Sequence, residues 1–253
     1  MLKTVKLILY YLAYQLGFSG VAMIISRFIA MDAITMTSLA MVASTLVMTW
    51  HLLHFGYVSF ARDRYKALTL PVLGVSVAFV FSAMYVLNLL IEQMGIPNTM
   101  EETFLAMSRN PLGILSIVLL APILEELLFR GAIQGGLSHQ MKPWVAITVS
   151  SLFFGLIHMN PAQIPFAFLL GMLFGWLYYR TGSLLPGIVG HVLNNSVATV
   201  NMYLYGDTSI EEQIANDITM WLWALVALVV FVLAALWLNR ALRQPSVEQI
   251  EVE

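Results

Sequence analysis

The chain has 253 residues, 60% of them apolar and 10% charged, with a mean hydropathy of +0.83; so few Lys, Arg, Asp and Glu cannot clothe a soluble fold of this size, because these are the residues that folded proteins keep outside, and the chain is read as a membrane protein. Fourteen acids against twelve bases give a net charge of -2, which leaves no concentrated basic patch for phosphates and sets nucleic acid aside as a partner. The absence of cysteine removes disulfides, iron-sulfur clusters, thiolate zinc and a cysteine nucleophile, so any metal would be held by His and carboxylate.

A hydrocarbon core about 30 Å thick takes about 20 apolar residues per helix, and eight stretches approach or reach that length. The first, 7–26, follows Met1-Leu2-Lys3-Thr4-Val5-Lys6. Its apolar run outlasts the roughly 7 to 15 residues of a signal-peptide core, so it reads as a retained first helix. The second, 33–55, carries His51 and His54 at its cytoplasmic end, where a polar ring tip can reach the headgroups. The third, 68–91, is followed by the acids Glu101 and Glu102, and the fourth, 111–133, holds Glu125 and Glu126 in its middle. The fifth and sixth, 143–160 and 163–180, are short; the seventh, 183–203, leads into an acidic loop with Asp207, Glu211, Glu212 and Asp217; the eighth is 219–239. Residues 244–253 are polar and acidic and read as a disordered tail. Trp144, Tyr178, Tyr179 and Trp237 fall near the ends of spans, as an aromatic belt does.

The expected fold is therefore all-α, a polytopic bundle of about eight transmembrane helices with a polar chamber. Its parts are three N-terminal helices and loops (1–110), a four-helix core (111–205), an acidic loop with the last helix (206–243) and the tail (244–253). No internal repeat of the transporter kind is visible. Ten of twelve bases fall on one side, namely Lys3, Lys6, Arg62, Arg64, Lys66, Arg130, Lys142, Arg180, Arg240 and Arg243, against Arg27 and Arg109 on the other. Cytoplasmic loops are enriched in Lys and Arg, so both termini are expected in the cytoplasm, and the compact loops point to a prokaryotic inner membrane.

A charge inside a span costs at least about 2.5 to 3.5 kcal/mol on insertion scales, which makes it a functional candidate. Glu126 precedes Arg130 by four residues, the favourable order for an ion pair along a helix. Glu125 is turned about 100° away, has no base within one turn, and needs a partner from another helix. Two histidines offer themselves, His158 at the end of the fifth span and His191 inside the seventh. With the turn between the fourth and fifth spans near Gln140 to Lys142, Glu125 and His158 lie some 24 to 26 Å along antiparallel neighbours at about 1.5 Å per residue, hence at similar depth. Asn195 shares a face with His191 at the i, i+4 spacing. Gly171, Gly175, Gly187 and Gly190 read as close-packing positions. A buried ion pair that only locks helices is the bland alternative for the two glutamates. No membrane acid accompanies Ser150, Ser151 or Ser196, which leaves a serine triad unsupported.

In order, Glu125-Glu126-x-x-x-Arg130, Phe154-x-x-x-His158 and His191-x-x-x-Asn195 resemble the three motifs of the CPBP (Abi) family, the intramembrane proteases related to type II CAAX prenyl endopeptidases. The resemblance covers about residues 111–205. It implies hydrolysis of a peptide bond within a membrane-embedded chamber, with Glu125 as general base assisted by His158, His191 and Asn195 holding the oxyanion, and Glu126 with Arg130 as the supporting pair. The substrate it implies is a membrane protein, peptide or lipidated peptide at the bilayer. Glu125, His158 and His191 could also supply three ligands of a divalent metal such as zinc with one open position. The helix signature H-E-x-x-H is absent, and the same residues can activate water unaided, so both routes stay open. The alternatives are a noncatalytic scaffold or immunity-type protein that binds a partner peptide, and a proton-coupled carrier using Glu125 and the histidines as a relay.

Overall fold

In a computed structural model of the chain, residues 2–58, 68–206 and 217–242 are described, and they form helices and turns with no strand among them. Arg62, Arg64, Lys66, Asp207, Glu211, Glu212, Arg243 and the tail 244–253 lie outside the described residues.

Nine helices follow one another among the described residues: α1 (Leu2–Ile25), α2 (Ala33–His54), α3 (Leu70–Gln93), α4 (Glu101–Ser108), α5 (Pro111–Ser138), α6 (Pro143–Leu156), α7 (Gln163–Thr181), α8 (Leu185–Tyr205) and α9 (Asp217–Ala241). The protein is an all-α polytopic membrane protein. Helices α1, α2, α3, α5 and α9 are long and apolar enough to cross a bilayer. The remaining three expected spans are present as α6, α7 and α8, of 14, 19 and 21 residues. At about 1.5 Å per residue α6 reaches only about 21 Å, short of the hydrocarbon thickness, so the turn after it must satisfy its backbone inside the bundle. The short helix α4 is an addition to the expected elements, because eight residues with two acids in the first turn carry no span signal.

Local sequence explains where the helices start. Asp32 caps α2, its carboxylate accepting from Thr35 N at 2.8 Å, and hydrogen bonding from the Thr35 side chain, then from its backbone N–H, holds the exposed acid below the ordinary carboxylate range. Asn110 caps α5 by accepting from Leu112 N and Gly113 N. Pro occupies the first turn of α3, α5, α6 and α8, where its missing N–H costs nothing.

Helix α5 is the axis of the bundle. Leu124, Leu128, Phe129 and Ile133 pack in one core with Leu7 of α1, Met48 and Leu52 of α2, and Phe154 of α6. A second core joins Phe79 and Val80 of α3, Phe174 and Leu177 of α7, and Leu238 of α9. Two stretches of α5, Leu115–Leu120 and Glu126–Gln134, are π-helical, with i→i+5 bonds of the kind that recurs at functional sites.

Two expectations change. His51 is not an open ring tip at the end of α2: α1 covers it, Tyr14 Oη lies 3.0 Å from its Nδ1, and Tyr10, Phe55 and Tyr57 surround the ring. His54, one turn on, is exposed and stacks on Trp50. Trp144, Tyr179 and Trp237 are exposed, whereas Tyr178 is half-buried against the first core, because α7 turns that side toward α5.

Candidate active site

A polar row runs down α5. Glu126, Arg130 and Gln134 are four residues apart and all but inaccessible, at 0%, 1% and 1% exposure. Arg130 Nη1 lies 3.1 Å from Glu126 Oε1, yet neither Nη1 nor Nη2 makes a hydrogen bond. The attraction is one of charge rather than of aligned donors. The guanidinium is also sandwiched by aromatic faces, its carbon 4.3 Å from the Phe154 ring centre and 5.4 Å from that of Phe174, contacts worth about 0.5 to 2 kcal/mol. Arg130 is thus a buried centre of the bundle and not a cytoplasmic loop base, which leaves nine bases on that side against two.

The glycines of α7 and α8 have a use more specific than general close packing. A Cβ on Gly171 would stand 3.1 Å from Arg130 Nη2, one on Gly175 2.7 Å from Gln134 Oε1, and one on Gly187 2.7 Å from Glu126 Oε2. Each glycine clears the space that one member of the polar row fills. Gln134 uses its space to donate to Gly175 O at 2.8 Å.

His191 of α8 bridges the two glutamates. Its Nδ1 is 3.3 Å from Glu126 Oε1 and its Nε2 3.6 Å from Glu125 Oε2, the latter longer than a hydrogen bond. The ring stacks on Phe174 at 5.4 Å. Glu125 thus has its basic neighbour on another helix, as its isolation on α5 requires, and its carboxylate keeps 12% exposure where that of Glu126 has none.

His158 sits in the turn that closes α6. Its Nδ1 is 2.7 Å from Phe154 O; a carbonyl only accepts, so Nδ1 carries the proton and the lone pair of the neutral ring is on Nε2. The next residue, Met159, has φ 51°, a left-handed conformation that non-glycine residues seldom adopt. Asn160 then folds inward with no exposure. Its Oδ1 accepts from Thr99 N at 3.1 Å and its Nδ2 donates to Asn98 Oδ1 at 2.7 Å, while its backbone carbonyl receives Gln163 N and Ile164 N at the start of α7. This side chain ties the His158 turn to the α3–α4 connection.

Asn195, one turn beyond His191, donates to Ile117 O at 2.8 Å and accepts from Asn194 Nδ2 at 2.8 Å. Glu125, His158, His191 and Asn195, from α5, the α6 turn and α8, all line one cavity of about 200 Å³. All four are candidates from sequence alone, whereas Asn160, Gln134 and Gln163, which also lines this cavity, are not. For Gln134 a signal exists, since it continues the 126, 130 spacing and faces glycines spaced by four. For Asn160 and Gln163 there is none.

The fit to a metal is poor in this arrangement. Among the described residues no three His, Asp or Glu side chains stand together as a metal-holding group, although Nδ1 of both histidines is engaged, one with Phe154 O and the other facing Glu126, which leaves each Nε2 as the nitrogen able to ligate.

Comparison with known proteins points the same way as the geometry. Residues 108–197 match the family described as type II CAAX prenyl endopeptidase Rce1-like. Over 110 residues the chain is 34% identical to the membrane-embedded CAAX protease MroQ of Staphylococcus aureus (strain USA300), covering 41% of this chain and 44% of that protein. Over 90 residues it is 31% identical to the "Putative membrane peptidase YdiL" of Bacillus subtilis (strain 168), covering 36% and 37%. The chain thus matches less than half the length of either relative. No solved structure matches it.

Proposed function

We propose that this protein, residues 108–197 of which match the type II CAAX prenyl endopeptidase Rce1-like family, is an intramembrane endopeptidase that hydrolyses a peptide bond of a membrane-associated substrate. The observation that carries the reading is the meeting of Glu125, His158, His191 and Asn195 from separate elements around one cavity.

In the proposed reaction a water molecule lies between Glu125 and His158 Nε2. Glu125 takes one of its protons while the water oxygen attacks the scissile carbonyl carbon, general base catalysis that contributes about 10²- to 10⁴-fold. The negative charge that develops on the carbonyl oxygen is met by His191 Nε2, when protonated, and by the second N–H of Asn195, the first being given to Ile117 O. Donors fixed in a site with little water are worth more than in solution. The carbon–nitrogen bond then breaks, and the proton held by Glu125 passes to the leaving amine. Glu126 and Arg130 act through His191: the Glu126 carboxylate beside Nδ1 fixes which way the ring faces, as carboxylate partners of imidazoles do. No step runs through a metal.

The four-helix stretch 111–205 does the chemistry in this reading, and the flanking helices house it. Both termini lie on the cytoplasmic side of a prokaryotic inner membrane, an orientation supported by the nine bases that the sequence assigns there. The test is cleavage of membrane peptides by purified protein in lipid discs, wild type against Glu125→Gln and His158→Ala. Loss of at least about 10²-fold in kcat is expected for each, with thermal unfolding retained. Full cleavage by Glu125→Gln would overturn the mechanism, and absence of cleavage by wild type across a membrane proteome would favour a peptide-binding scaffold.

A further inference from the structure

A second and larger cavity, of about 420 Å³, adjoins the first. Phe104, Ile117, Gln163, Phe166, Asn194 and Asn195 line both, so the same six side chains form the wall between them. Its far end is made by the last turns of α3, the start of α4 and the last turns of α8, through Glu92, Asn98, Glu101, Met202 and Gly206. This is the end of the bundle that holds Arg27 and Arg109, away from Lys3, Lys142, Arg180 and Arg240.

The lining has a definite chemistry. Amide side chains recur along it, Asn88 and Asn201 beyond the shared Gln163, Asn194 and Asn195, and a primary amide offers both donor and acceptor to a peptide backbone. Gln163, at the junction of the two cavities, makes no side-chain hydrogen bond among the described residues. Two carboxylates, Glu92 and Glu101, line the outer part, no Lys, Arg or His does, and neither acid has an ion-pair partner among the described residues. An acidic peptide would be repelled by these two carboxylates.

We propose that this cavity is the vestibule through which substrate reaches the candidate active site, and that it takes an extended peptide segment carrying a cationic group, a Lys, an Arg or a free α-amine, from the non-cytoplasmic face. The inference rests on the protease reading and names its substrate class. Gln163 receives the peptide backbone at the junction, and Glu92 and Glu101 hold the cation while the bond to be cut lies over Glu125.

The natural absence of cysteine allows a test that does not need activity. Three fluorescent peptides of one length, bearing Lys, Gln or Glu at the same position, are titrated against protein in lipid discs, and Ala198→Cys, on the exposed side of the vestibule, is labelled with an impermeant maleimide in right-side-out and inverted vesicles. The Lys peptide is expected to bind about tenfold tighter than the Glu peptide at low salt, the gap closing to under about threefold at about 0.5 M salt and in Glu92→Gln/Glu101→Gln. The introduced thiol should react in right-side-out vesicles and be shielded by the Lys peptide. Equal binding of the three peptides, a preference that survives the double substitution, or labelling confined to inverted vesicles would overturn the proposal. A charge preference without cleavage of any peptide leaves the vestibule standing and removes the protease reading; cleavage without charge preference does the reverse.

Discussion

Removing the charge of Glu126 tests how the polar row is held. Glu126→Gln keeps the shape of the side chain but strands the Arg130 guanidinium, which has 1% exposure and no hydrogen bond at Nη1 or Nη2. Breaking a buried ion pair on one side costs about 3 to 5 kcal/mol. Two features of the structure put the value at the lower end: the pair lacks an aligned hydrogen bond, so none is lost, and the faces of Phe154 and Phe174 continue to stabilise the cation. We therefore expect a loss of about 3 kcal/mol, roughly a 10²-fold shift in the unfolding constant, measured by denaturant titration in mixed micelles. Glu126→Gln/Arg130→Met should regain most of that stability, since an apolar replacement of both partners is close to neutral, yet should not regain cleavage, because His191 Nδ1 has still lost the carboxylate 3.3 Å away. A Glu126→Gln protein within about 0.5 kcal/mol of wild type would refute the reasoning, as it would mean that water or another group already compensates Arg130.

Gly187→Ala adds a methyl group 2.7 Å from Glu126 Oε2, and the carboxylate, pinned between Arg130 and His191, has little room to yield. It should cost about 1 to 3 kcal/mol and reduce kcat by about 10², seen by thermal unfolding and peptide cleavage, whereas Gly20→Ala, with open space around it, should change neither. Asn160→Ala leaves Thr99 N without its partner and Asn98 Oδ1 with Met100 N alone. A destabilisation of about 1 to 3 kcal/mol is expected, with faster amide exchange at residues 98–100 and in the His158 turn; unchanged exchange there would show that the turn stands without it. Exhaustive chelation should leave the cleavage rate unaltered, and a loss that added zinc restores would reopen the metal route.

Much of this site is legible in the sequence because its clues are either local or chemically conspicuous. Glu126 and Arg130 pair along one helix, a relation fixed by helical spacing, and carboxylates and imidazoles stand out in a chain that is 60% apolar for the reason that burying them is costly. The helices too can be placed, since a bilayer demands long apolar runs; α4, short and polar, escapes for the same reason. His51 is misplaced by sequence because its burial depends on Tyr10 and Tyr14 of another helix, which no property of α2 announces.

The sequence by itself determined that this is a helical membrane protein and which polar side chains required partners, since solvation in hydrocarbon leaves a chain few choices. Only the tertiary structure decided who the partners are. His191 meets glutamates 65 and 66 positions earlier, and glycines of α7 and α8 owe their use to side chains of α5. The π-helical turns of α5 and the partners of the inward-facing Asn160 likewise belong to the tertiary structure. Contacts between distant segments depend on how whole helices pack, and that is set by the sum of many weak interactions rather than by any motif.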